Sequence, residues 1–478
     1  MIDLFKCLIA KFRKMGKNKV ENLYREEKYT SLGLYNPSFF KITLKTGDEL
    51  PKEDSENPLV SEITGAAFLH EYIHFLQDIT TSSGLNNFCY IVDYIKWINY
   101  LYKTEDVLYP PYHPSSSEMP YLKENALFRD AYSGSKKQIS PFSKIESVKL
   151  VNKKICDGFE DNLLVIECMT QNATTQSYDI GEYAISECMA YNIDSHVFPD
   201  VLPAPPVFPY NIVNVIADRY CEGLGNDKLK IIAICDACLM FDNPGYILYI
   251  SLTSEQTNEY IKMSTEDIFD YINNLGAKLY ERKSIDILEE KHNRALQQWN
   301  DLFSPDKNFD KIRNYISDTL KKAYIFRKND PHFIIEAVRE SEKKQLSQFI
   351  KIIEGLGAPL ILNEKKNKIV QITPNDEEVE TYYLWVLEQI YKLFTGASKF
   401  DNGVYKCEMY EFCKSSFEYK KMEDALSIIS SDFSCIYNPW ERCKTKEERC
   451  ICAFGAYWYS CAMKDVSEKN SYKSSFLN

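Results

Sequence analysis

No run of about 18 uninterrupted apolar residues occurs in the 478-residue sequence. The nearest approach, Ile231 to Leu252, is broken by Asp236, Asp242, Asn243 and Pro244. A membrane-spanning helix is therefore not expected, and a soluble protein is. A secretory leader is not expected either: Lys6 and Lys11 interrupt the stretch Met1 to Met15 and no small-residue cleavage site follows, so it reads as a poor signal peptide. That stretch reads as a basic amphipathic helix docked on the body rather than lying on a membrane surface, and a cytoplasmic location is expected. There is no excess of basic residues. A net charge of −12 argues against a surface that grips nucleic acid and favours another protein as partner. Glycine is scarce, at 17 residues, and neither a glycine-rich phosphate loop nor a nucleophile elbow is present. No internal repeat is found.

Cysteine is present in an odd number, 15, spread along a long chain, which is the pattern of reduced thiols and not of a disulfide framework. Cys235-Asp236-Ala237-Cys238 has redox or zinc-knuckle spacing, but it sits alone in an apolar helical run and reads as two buried thiols. Cys407, Cys413, Cys435, Cys443, Cys450, Cys452 and Cys461 form a denser group, a candidate structural zinc site whose spacing fits no finger or ribbon. Lys365, Lys366 and Lys368 read as a solvated hairpin tip.

The length predicts more than one domain, and we place them at 1–210, 211–356 and 357–478, the last a cysteine-rich mixed helical region. Phe39 to Leu50 alternates like a strand and turns at Gly47-Asp48. Helical spacing runs from Ser61 to Thr80, with Thr81 to Gly84 as a stop, and resumes from Asn86 to Lys103. A proline-rich loop, Tyr109 to Pro120, precedes strands at Ser147–Ile155 and Asn162–Thr170. Tyr178 to Asp194 is helical, and Pro199 to Pro209 is an extended connection. Helices dominate from Tyr210 to about Leu356, one of them capped at Ser264, with two long ones at Asn308–Arg327 and Phe333–Leu356. Pro359 to Thr373 reads as a hairpin and Glu377 to Phe394 as a further helix.

Only six histidines occur, and two of them fall in His70-Glu71-Tyr72-Ile73-His74. Positions i and i+4 lie one above the other on a helix, so both imidazoles can reach one metal ion. Glu71 is placed to meet a water on that ion without ligating it. The segment resembles the HExxH signature of the zincin metallopeptidases. The resemblance implies an α+β fold: a zincin-like N-terminal catalytic domain, with a small sheet and active-site helices, followed by a mainly α-helical C-terminal region. It also implies bound Zn2+, hydrolysis of a peptide bond in a protein or peptide substrate, and Glu71 as general base.

The metzincin branch is unlike this chain, which has Gln77 and Thr80 where that branch needs glycine and histidine. The gluzincin branch takes a glutamate from a second helix, and Gly181 to Tyr191 is similar to such a helix, with Glu187 as the third metal ligand beside His70 and His74. Ala184 and Ala190 flank Glu187 on its face, and Ala66 and Ala67 precede His70 by one turn, so two helices could approach closely. Glu182, Glu167, Asp179 and His113 are the other candidates for the third ligand. Tyr183, Tyr191 and His196 are candidate donors to the oxyanion. Asp78, four residues after His74, is a candidate to orient an imidazole. On this reading catalysis needs only about the first 200 residues, and the later half shapes the cleft or binds a regulatory protein partner. The rival reading is a binding or scaffold module of zincin shape, inactive or with a structural site, its histidines paired with carboxylates.

Overall fold

A computed structural model describes residues 32–47, 61–104, 112, 120–136, 142–170, 174–199, 201–202, 205–303, 309–341, 346–365, 369–372, 381–397, 400–401, 404–405, 407–419 and 452–460. The N-terminal helix expected at residues 1–15, His113, and Cys435, Cys443, Cys450 and Cys461 lie outside them. The fold is α+β, mostly helices with small sheets. No helix among the described residues is long and apolar enough to cross a membrane.

The helix carrying the histidine pair, α1 (Glu62–Thr80), starts where the sequence predicts. Ser61 caps it, its hydroxyl accepting from Thr64 N at 3.2 Å, and Glu62 sits favourably in the first turn. It ends at Thr81, whose backbone is extended. The expected stop also begins the next helix, α2 (Ser82–Thr104), because Thr81 Oγ1 accepts from Gly84 N at 3.1 Å. Gly84 is required there: a Cβ on it would lie 2.4 Å from Asp78 Cα and Gln77 O. The helix α3 (Pro120–Ser133) follows, starting at the proline that the sequence reading assigned to a loop. The helix of Glu187, α4 (Glu182–Val197), packs on α1 and on the helix Lys228–Leu239. Ala66, Ala67, Ala184 and Ala190 are all buried, as close helix approach requires.

Two sheets flank these helices. In the first, β1 (Gly33–Asn36) and β2 (Lys41–Leu44) form an antiparallel pair. The turn between them holds Ser38 and Phe40 at positive φ (65° and 44°), a left-handed conformation that side-chain-bearing residues adopt only when held. The second sheet is a meander of β3 (Phe142–Cys156), β4 (Phe159–Thr170) and β5 (Thr175–Ile180). Residues 178–180, read as helix, belong to β5 because they pair with β4, Tyr178 with Ile166 and Ile180 with Leu164.

The first sheet crosses the boundary expected between residues 356 and 357. Lys41–Leu44 pairs in parallel with β6 (Ala358–Asn363), which turns back onto β7 (Ile369–Ile372), giving the order β1-β2-β6-β7. Further ties reach α1 from late in the chain. Tyr72 donates its hydroxyl to Gly357 O at 3.0 Å, and Arg327 reaches Thr80. A single cluster of buried apolar residues runs from Tyr35 to Trp458. This cluster and the long-range strand pairing, which no local pattern announces, both cross the boundaries placed at 210/211 and 356/357.

Elsewhere the helices sit close to expectation. Ser264 caps Thr265–Tyr280 through Asp267 N, and Asp310–Asn329 is long, while Phe333–Leu356 divides into Phe333–Ser341 and Ser347–Leu356. Cys235 and Cys238 are buried free thiols.

Candidate metal centre

On α1, His70 and His74 stand one turn apart with their Nε2 atoms 3.3 Å from each other. α4 brings Glu187 Oε2 to 3.3 Å from His70 Nε2 and 3.6 Å from His74 Nε2. A tetrahedron whose corners lie about 2.0–2.1 Å from its centre has edges of about 3.3 Å. The three donor atoms therefore have the spacing of three corners around one ion, and two imidazoles with a carboxylate are a donor set suited to zinc. Among the described residues this is the one such group of metal-binding side chains.

The outer nitrogen of each ring is held. His70 Nδ1 lies 2.6 Å from Asp194 Oδ2, and His74 Nδ1 lies 2.8 Å from Gln77 Oε1. Gln77 Nε2 donates to Ser186 O at 3.0 Å, which turns its carbonyl oxygen toward His74. Both Nδ1 atoms thus face acceptors and carry the proton in the neutral ring, which directs both Nε2 lone pairs to the shared centre.

Burial disfavours charge on His70, but the Asp194 and Glu187 hydrogen bonds outweigh it and hold the ring well above the ordinary imidazole range. His74 is raised too, its burial overcome by Glu187. Burial likewise opposes ionisation of Glu187, and the two imidazoles overcome it and hold the carboxyl well below its usual range. Without an ion the arrangement favours protons on the rings beside an ionised carboxylate, and a cation binding there would compete with those protons.

Glu71 is buried and lies outside the three-donor group, yet it lines the same cavity of about 500 Å³. Burial raises its pKa, with the His70 and His74 charges partly opposing, and Tyr35 N–H bonds its carboxylate. β1 presses directly against it: a Cβ on Gly33 would stand 2.6 Å from Glu71 Cγ and Oε1.

Of the predicted oxyanion donors, Tyr183 lines the cavity. Its phenol is pushed up to about 12 by burial and then by the Glu187 charge, so it stays a proton donor at neutral pH. Tyr191 and His196 do not line the cavity. Tyr210 lines it instead, its ring centroid 6.1 Å from His70 and 6.2 Å from Tyr191. Asp78 orients no imidazole. It accepts from Tyr35 Oη at 2.8 Å and Ser38 N at 2.6 Å, clamping the strained turn after β1. Its burial raises its carboxyl to about 7 against those two bonds.

The alternative third ligands are placed elsewhere. Glu167 pairs with Lys149 and Asp179 with Lys153 on the meander sheet, and Glu182 sits at the cavity wall facing Ser133. Asp194, Gln77 and Tyr210 were missed from sequence. Asp194 carried a signal, since it lies seven residues, two helical turns, after Glu187 on the same face. Gln77 lies three after His74, also on one face. Tyr210 follows the proline-rich connection, where no period applies.

No protein-family model, no curated protein and no solved structure matches the chain.

Proposed function

We propose that the chain is a zinc-dependent metalloendopeptidase of the gluzincin kind, acting inside the cell on a protein substrate. One observation carries the reading. Three donor atoms on two helices have the spacing of a tetrahedral face, with a buried glutamate beside them that is not one of the three. His70, His74 and Glu187 would hold the ion. Zinc bound there supplies a Lewis acid that lowers the pKa of a water at its open position toward about 7 and polarises a carbonyl.

The remaining work falls to the protein. Glu71 takes the proton from the attacking water on its carboxylate and returns it to the departing amine. Tyr183 donates to the oxygen on which charge develops. Among the described residues β1 is the edge strand of its sheet, and Leu32 to Tyr35 line the cavity, so an extended peptide can lie along it. That placement favours a peptide substrate over a purely structural metal site, the second reading being a zincin-like scaffold module.

The decisive measurement is metal content of the purified full chain. We expect one zinc per chain, sharply weaker retention in Glu187→Ala, and loss of cleavage of an unfolded protein substrate on chelation. A chain that takes up no zinc rejects the proposal.

Gly33→Ala probes the base without touching a ligand. The added methyl displaces the Glu71 carboxylate, and a misplacement of about 1 Å is expected to lower kcat on the order of a hundredfold. Zinc content should not change. Wild-type turnover in this variant would show that Glu71 tolerates displacement and is not the base.

A further inference from the structure

The cavity of the metal centre does not close at the end of α1. It continues past Thr81 to a wall formed by Asn87, Arg129, Ser133 and Glu182, and the same four residues line a second cavity of about 560 Å³. Four cationic side chains border the two spaces: Arg129, Lys136, Lys291 and Arg294. Two of them are matched. Lys291 pairs with Asp242 at 3.2 Å and Arg294 with Asp93 at 3.2 Å. Arg129 and Lys136 have no carboxylate within ion-pair distance among the described residues.

Arg129 is nonetheless held firmly. Its guanidinium lies 4.6 Å from the centroid of the Tyr90 ring, and its Nε donates to Asn87 Oδ1 at 3.0 Å. Glu182, the carboxylate on the shared wall, is turned toward Ser133 Oγ at 3.5 Å. A positioned guanidinium fork with no carboxylate in ion-pair contact, on which Glu182 and Asp130 act only from farther off, borders both cavities and is arranged to receive a planar carboxylate in two parallel hydrogen bonds. Lys136 lines the cavity of the metal centre beside it, its pKa lowered by burial and then by the Arg129 charge, against Glu182 and Asp130, and it adds to the attraction.

We propose that Arg129, with Lys136 beside it, binds a carboxylate of the substrate at the seam of the two cavities, which makes this seam a specificity site. The proposal rests on the peptidase reading and deepens it. Along α1, which ends at Thr80, the six residues after His74 rise roughly 9 Å toward Thr81 on the cavity wall. Extended peptide advances about 3.3 Å per residue, so the recognised group lies about three residues from the scissile bond. An acidic side chain or the carboxyl end of a short peptide could supply it.

The test uses peptide libraries that place Glu or Gln at each position, in one set with capped ends and in another with a free carboxyl end. We expect wild type to favour Glu at one position, about three residues from the cut, by roughly ten- to hundredfold in kcat/KM. Arg129→Gln should bring the Glu/Gln ratio close to one, Arg129→Lys should recover part of it, and Lys136→Ala should lower it less. Preference for a free carboxyl end over the capped end would assign the carboxylate to the chain terminus. A ratio near one in wild type at every position, with capped and free ends cleaved alike, overturns the inference and leaves the peptidase reading standing. A variant that slows both peptides equally, with the ratio intact, also overturns it, because a merely structural arginine would do that. Should no peptide be cleaved, the peptidase reading fails. Binding of the same libraries to the zinc-treated full chain then decides the seam, where Glu-selective binding lost in Arg129→Gln supports it and unselective binding rejects it.

Discussion

Glu71→Gln is expected to retain zinc at the wild-type level and to lose cleavage by about 10²- to 10⁴-fold in kcat, the usual contribution of a positioned acid or base. The substitution keeps the shape of a side chain wedged between β1 and the histidine helix, where Gly33 leaves no spare room. It removes only the ability to accept a proton, because an amide cannot be protonated near neutrality. The bond from Tyr35 N–H can survive, since the amide oxygen still accepts. Metal analysis and single-turnover rates on the same preparation check both halves. Loss of zinc together with activity would make Glu71 part of the binding group, and undiminished cleavage would remove it from the chemistry.

The second large effect is one of stability. Arg327 is fully buried and all five of its N–H groups are used. Nη1 donates to Asp236 Oδ2 at 2.8 Å and Pro331 O at 2.8 Å, Nη2 to Asp236 Oδ1 at 2.9 Å and Thr80 Oγ1 at 3.2 Å, and Nε to Thr80 O at 3.3 Å. The pair joins the end of α1 to the helices Lys228–Leu239 and Asp310–Asn329. Asp236→Ala strands a guanidinium in the core and is expected to cost about 3–5 kcal/mol. Replacing both partners with apolar residues of similar volume should restore most of the loss, because no uncompensated charge is left. Urea midpoints of the two variants test this, and a single variant within about 0.5 kcal/mol of wild type, the range of an ordinary surface change, would show that the pair stabilises nothing.

Both effects concern groups the sequence presents unequally. The histidine pair was legible because helical spacing alone puts His70 and His74 together, and the cap at Ser61 fixed where that helix begins. Glu187 was legible more faintly, through the alanines around it. Asp194 was visible in principle, two turns along the same face, but a lone carboxylate there resembles any other. Tyr191 and His196 lie off the cavity wall and Tyr210 lies on it, which a shared helical face alone does not foretell. Asp78 failed for a similar reason: its partners, Tyr35 and Ser38, come from a four-residue strand and its turn, too short to show a period. The pairing of residues 41–44 with 360–363 had no signal at all, since strand partnership across such a distance depends on the whole core.

That parallel pairing bears on how the protein is made. Synthesis runs from the amino end, and early segments tend to fold as they emerge. Here the strand at Lys41–Leu44 waits for its second neighbour until Asn363 has been added. Until then the growing polypeptide also lacks the Gly357 carbonyl that anchors Tyr72 and the arginine that secures Thr80. A nascent fragment holding every residue of the donor group is still short of the framework that aligns them, so assembly of the centre is expected to wait until the polypeptide has grown through Asn363.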